Sequence, residues 1–241
     1  MNNENFTVGQ IRPIESFKEG WELIKSDYWM MFVIALVGGL IGGVTLYILL
    51  GAMACGIFIC FLQKIDTGTV SFDNLWKGFS YFKPSFIVLL AIVVPMIIVY
   101  ALIYAPFIMA AVMGQKLSES ELMGMLAGAF AIDAVVILVM VCFHTLLMFS
   151  FPLIVDKNLS GMQAMKLSAK AVWKNLGGVA GFIGVYFVLI FAATFLTCGI
   201  GVYFILPVIT AAFTVVYRKV FPAPFSGKFD QPPPPNAYQE L

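Results

Sequence analysis

Three long stretches of this chain contain no Asp, Glu, Lys or Arg: Tyr28 to Gln63, Pro84 to Gln115 and Asn175 to Tyr217. No other feature limits the fold as strongly. A helix that crosses a bilayer core of roughly 30 Å needs about 20 mainly apolar residues. Inside lipid the backbone must satisfy its own hydrogen bonds, which favours helices. Each stretch therefore holds at least one spanning helix, and a fourth apolar segment runs from Leu126 to Phe151. Composition agrees, because only 11% of the residues are charged while 61% are hydrophobic. A soluble domain carries about 25% charged residues.

The first run, Tyr28 to Leu62, would make one helix about 52 Å long at about 1.5 Å per residue, so it must divide. Gly38, Gly39, Gly42 and Gly43 mark its expected break, and Cys198-Gly199-Ile200-Gly201 marks that of the last run. The expected fold is an all-α polytopic membrane helix bundle with six spans, near 28–42, 45–62, 85–104, 126–151, 177–196 and 202–217. A polar segment, 1–13, precedes this membrane domain of 14–220, and a Pro-rich tail, 221–241, follows it. With six spans, 13 of the 14 basic residues fall on one side and only Lys116 on the other. That bias marks the cytoplasmic face and places both chain ends there. Residues 1–27 carry five acidic groups and no apolar core of a secretory signal.

A threefold repeat is expected. Ser16 and Trp21, Ser71 and Trp76, and Ser168 and Trp173 share one spacing, each ahead of a hairpin of two spans. The unit reads as a short cytoplasmic interfacial helix followed by a helical hairpin. Ser16 with Glu19, Ser118 with Glu121 and Ser160 with Gln163 have capping-box spacing. In the third unit Met162, Met165, Ala169 and Val172 fall on one face, and Lys166, Lys170 and Lys174 form a stripe at i, i+4 and i+8. A basic amphipathic helix suits an anionic leaflet, and Trp suits the membrane–water boundary. Lys166, Lys170, Lys174, Trp21, Trp76 and Trp173 are the candidate lipid-headgroup contacts; the plainer alternative is a topology anchor.

The stretch Phe151-Pro152-Leu153-Ile154-Val155-Asp156, followed by Asn158, Ser160, Ala164, Ser168 and Lys174-Asn175, resembles a pattern in prokaryotic membrane proteins. These include the YciC-like family and the membrane domain attached to some glycerophosphodiester phosphodiesterases. The resemblance covers about residues 145–220. It implies a six-helix domain of the plasma or inner membrane and brings no catalytic residue. The phosphodiesterase barrel has no polar stretch long enough to hold it here.

Few residues offer chemistry. His144, the only histidine, lies eleven residues after Asp133 on the same expected helix. They share a face about 16 Å apart, too far for a hydrogen bond without intermediaries. An intramembrane ionisable pair marks a transport or proton site, or else a polar packing contact. Pro95 and Pro207 are expected inside spans as kinks. Gly38 with Gly42 and Gly177 with Gly181 form pairs that permit close helix approach or self-association. The four cysteines fit neither a zinc site nor a disulfide framework. No cofactor, metal or nucleic-acid partner is expected, the net charge being +1. The function expected is non-enzymatic organisation of lipids or partner proteins; the alternative is a small-solute transporter or channel.

Overall fold

The computed structural model describes residues 6–114 and 118–223, and among these the chain is an all-α polytopic bundle. Lys116 and residues 224–241 of the expected Pro-rich tail lie outside the described residues. The helices are α1 Pro13–Ile24, α2 Tyr28–Val44, α3 Leu50–Thr67, α4 Phe82–Val112, α5 Glu119–Leu146, α6 Ser150–Lys157, α7 Gly161–Lys174, α8 Leu176–Leu196 and α9 Ile200–Val220. A 3₁₀ segment, Phe72–Tyr81, stands between α3 and α4. Short helical elements thus precede each of the hairpins α2–α3, α4–α5 and α8–α9.

Five helical stretches are long and apolar enough to cross a membrane, and six if α1 and α2, bent by 104°, count as one broken span. Alone, the 17 residues of α2 reach about 26 Å.

The first run breaks later than its glycines predict. Gly38 and Gly42 lie inside α2, where an added Cβ would meet Ile57 at 2.9 Å and Leu50 at 2.8 Å. Their small size lets α2 and α3 approach. The turn comes at Thr45–Leu49, where Thr45 Oγ1 donates to Ile41 O at 2.8 Å and accepts from Leu49 N. Leu46 and Tyr47 take positive φ there, at 50° and 67°. The last run breaks where expected, through Cys198 at φ 52° and Gly199 at φ 90°. Pro95 and Pro207 sit inside α4 and α9 as expected. Helix α4 also continues through Pro106 to Val112, beyond the expected end of the third span at residue 104.

The short elements pack lengthwise on longer helices. Along α1, Glu19 pairs with Lys219 of α9, and a Cβ at Gly20 would fall 2.5 Å from Ala212 N. The next helix continues the series, since Tyr28 donates to Phe204 O at 2.7 Å. The 3₁₀ segment runs back along α3: a Cβ at Gly56 would collide with Leu75 O and one at Gly78 with Ala52 O, 2.0 and 2.2 Å away. Such backbone-to-backbone approach is open only to glycine.

The capping boxes divide. Those at Ser118 and Ser160 form as expected. At the N-terminus Pro13 starts α1 four residues earlier than a Ser16 cap would, so Ser16 is buried inside the helix and its hydroxyl donates to Arg12 O at 2.8 Å. Residues 6–12 of the expected polar segment are packed as a strap. Thr7 N donates to Val220 O at 2.8 Å, Gly9 N to Asn175 Oδ1 at 2.8 Å, and Asn175 Nδ2 to Thr7 O at 3.1 Å. Phe6 is buried edge-on to Phe221. Phe17 stacks on Phe182, and Ile11 lies against Gly178.

Candidate functional site

The polar chemistry of the bundle gathers where α3, α6 and α9 end. Arg218 is the centre. Its Nε donates to Asp66 Oδ1 at 2.9 Å and a second guanidinium nitrogen pairs with Asp66 Oδ2. Its Nη1 lies 2.8 Å from Asp156 Oδ1, an ion pair whose geometry falls short of a hydrogen bond. Tyr217, fully buried, donates its hydroxyl to Asp156 Oδ2 at 2.7 Å, and Lys157 Nζ stands 3.5 Å from the same oxygen. The Arg218 and Asp156 side chains are only 11% and 9% exposed, so both charges depend on this pairing.

A second knot joins the α1–α2 junction to the end of α3. Lys64 is buried and donates to Asp27 Oδ2 and, at 2.8 Å, to Gly68 O. The hydrogen bond from Lys64, with a further one from Ser26, holds the Asp27 carboxyl below the usual carboxylate range.

Helix α7 carries the basic stripe. Its buried face is Gly161, Ala164, Met165, Ser168, Ala171 and Val172. The apolar face is therefore rotated from the expected one, with Met162 exposed and Ala169 at its edge. Lys166, Lys170, Lys174 and Trp173 are exposed. Lys170 Nζ also lies 5.9 Å from the centre of the Phe6 ring. Trp21 on α1 and Trp76 on the 3₁₀ segment are exposed too. In each of the three expected units the residue before the Trp is buried: Gly20, Leu75 and Val172.

Ser168, the repeat's serine in α7, closes the break between α5 and α6. It donates to Leu146 O at 2.7 Å and accepts from Phe149 N at 3.1 Å. The chain kinks here because backbone groups left by the interrupted ladder find a side-chain partner.

Asp133 and His144 both lie on α5, and no hydrogen bond joins them. Asp133 Oδ2 accepts from Tyr104 of α4 at 2.9 Å, while Asp133 Oδ1 and His144 Nε2 are buried without a partner. Of the glycines expected at an interface, Gly38, Gly42 and Gly181 face neighbours within the chain, and Gly177 faces open space. Among the described residues no three His, Cys, Asp or Glu side chains converge.

No family model, curated protein or solved structure matches this chain. Its apolar helices make it an integral membrane protein, and any finer assignment rests on the residues themselves. Sequence reasoning missed Asp27, Lys64, Asp66, Arg218 and Tyr217. It quoted Asp156 only as the close of an apolar pattern, and a carboxylate ending such a run was the one available sign of the cluster.

Proposed function

We propose that this protein is a non-enzymatic, multi-pass organiser of lipids in a prokaryotic plasma or inner membrane, with both chain ends cytoplasmic. The observation that carries this reading is α7. One of its faces is built into the bundle through Ser168 and Ala164, while the other presents Lys166, Lys170 and Lys174 beside Trp173. About 1 kcal/mol per basic residue is available at an anionic membrane surface. The buried charges neutralise one another around Arg218, which favours a structural end over a permeation path. The ion pairs join groups that the lysine bias assigns to one side: Glu19, Asp27, Lys64, Asp66, Asp156, Arg218 and Lys219. The resemblance to YciC-like proteins is part of the same proposal; Asp156 of that pattern is here the partner of Arg218.

The test is lipid retention. Purified protein passed through mixed vesicles should keep phosphatidylglycerol, as read by native mass spectrometry. Lys166→Gln, Lys170→Gln and Lys174→Gln together should abolish that preference. Unchanged retention by the triple variant refutes the reading. For topology, cysteines at positions 43 and 199 should label only from outside. The alternative, small-solute transport, draws on the unpartnered His144 Nε2 and the prolines inside α4 and α9. It requires a wetted path past His144, so solute uptake by sealed vesicles that vanishes in His144→Ala would favour it.

A further inference from the structure

A cleft of about 560 Å³ opens between α1, α3 and α9 beside the Arg218 cluster. Helix α1 contributes Glu19 and Glu22, and α9 contributes Arg218 and Lys219. Leu23, Ile65 and Val215, one from each helix, complete the lining. The acids thus come from one helix, the bases from another, and the remainder is aliphatic. We propose that this cleft holds the headgroup of a zwitterionic phospholipid bearing a primary ammonium. This rests on the reading above, which puts the charged end of the bundle at the bilayer surface.

The arrangement selects this chemistry. A simple anion meets Glu19 and Glu22, and a simple cation meets Arg218 and Lys219. A ligand carrying both charges a few ångströms apart satisfies both sides. The phosphate faces Lys219, and the ammonium faces Glu22 and Glu19. A primary ammonium brings three N–H donors for carboxylates, whereas a quaternary one brings none. The aliphatic residues suit the glycerol and ester region of a lipid better than they suit a wholly polar solute. The volume lies within the roughly 300–1,000 Å³ of small-molecule sites.

The cleft can exchange its internal pairs for the ligand. The Glu19–Lys219 and Glu22–Lys25 pairs are surface pairs, their glutamates 48% and 62% exposed. Such pairs contribute about 0–1 kcal/mol. Arg218, by contrast, is pinned by Asp66 and Asp156 and stays in place. The cleft therefore sets movable charges, Glu19, Glu22 and Lys219, against a fixed, internally paired Arg218.

The experiment uses full-length protein in vesicles of phosphatidylcholine containing phosphatidylethanolamine and phosphatidylglycerol, with retained lipids counted by native mass spectrometry. The wild type should hold phosphatidylethanolamine about tenfold more tightly than phosphatidylcholine, and Glu19→Gln with Glu22→Gln should erase that factor. Phosphatidylglycerol retention should be unchanged in this variant. Glu22→Gln alone, at an exposed position, should lose part of the preference without disturbing the fold. Equal retention of the two zwitterionic lipids, or a double variant that retains phosphatidylethanolamine as the wild type does, overturns the proposal. Soluble phosphoethanolamine titrated by calorimetry should bind far more weakly than the lipid; equal affinity would make the ligand a free zwitterion and overturn the lipid assignment. The α7 triple variant should lose phosphatidylglycerol and keep phosphatidylethanolamine, so failure of the two readings is separable.

Discussion

Replacing Arg218 with Met tests the charge cluster. The substitution keeps an unbranched side chain of similar reach and removes the one cation among the described residues that pairs with both Asp66 and Asp156. Asp66 is about one-third exposed and recovers water, so its loss is small. Asp156 keeps the Tyr217 hydroxyl and a 3.5 Å approach of Lys157, but its side chain is 9% exposed and now carries an undercompensated charge. Removing one partner of a buried pair costs about 3–5 kcal/mol. The remaining partners of Asp156 place the expectation at the lower end, about 3 kcal/mol. At about 2–4 °C per kcal/mol for a chain of this size, the melting temperature in detergent should fall by roughly 6–12 °C. The triple variant Arg218→Met, Asp66→Asn, Asp156→Asn removes the stranded charges and should regain most of the loss, since apolar or neutral replacement of a whole buried pair is often tolerated. Thermal unfolding followed by circular dichroism in one detergent reads all three proteins. A single variant within about 1 kcal/mol of wild type, or a triple variant no more stable than the single, refutes the reasoning.

Three further outcomes follow from the same geometry. The Asp27 carboxyl is held low by Lys64, so its stabilisation is complete above the ordinary Asp value of about 3.9 and fades as pH falls through the depressed folded value. Hydrogen-exchange protection over residues 24–30, taken relative to the intrinsic rate at each pH, should therefore fall on acidification, and Lys64→Gln should flatten that dependence; protection insensitive to both contradicts the pairing. Ser168→Ala strands Phe149 N–H and Leu146 C=O in the interior and should destabilise by about 1–3 kcal/mol, with a wild-type melting temperature as the contrary result. Gly78→Ala drives a Cβ to within 2.2 Å of Ala52 O, whereas Gly39→Ala meets nothing within 4 Å. The first should destabilise, and the second should be neutral or favourable by up to about 1 kcal/mol; equal effects would show that the close approach at Gly78 is not required.

The helices were legible because lipid-crossing segments announce themselves by what they lack. The caps at Ser118 and Ser160 were legible because a capping box is a local pattern that needs nothing beyond its own four residues. Ser16 had the same spacing and failed, since its position is governed by α9, about 200 residues away in sequence. Glu19 turned from the expected cap to Lys219 for the same reason. Glycine misled at the first hairpin: the residue type signals either a bend or a close approach, and only the neighbouring helix decides which. The lysine stripe of α7 could be read from its spacing of four. The Arg218 cluster could not, because its three chain segments meet only after folding, and Asp66 and Arg218 are separated by 152 positions.

The strap over the first described residues has a consequence for biosynthesis. Thr7 takes its hydrogen-bond partners from Val220 and Asn175, and Phe6 takes its ring contact from Phe221. As the chain emerges from the ribosome, Gly9 and Ile11 can meet Asn175 and Gly178 first, but Phe6 and Thr7 lack their seat on Val220 and Phe221 until α9 has been made. The seat of the whole strap is formed by the ends of α7 and α9 and the start of α8. Helices inserted earlier thus wait with an open seam, and the opening residues of the described chain are among the last to settle. A chain stalled before position 220 would leave that seam unfilled.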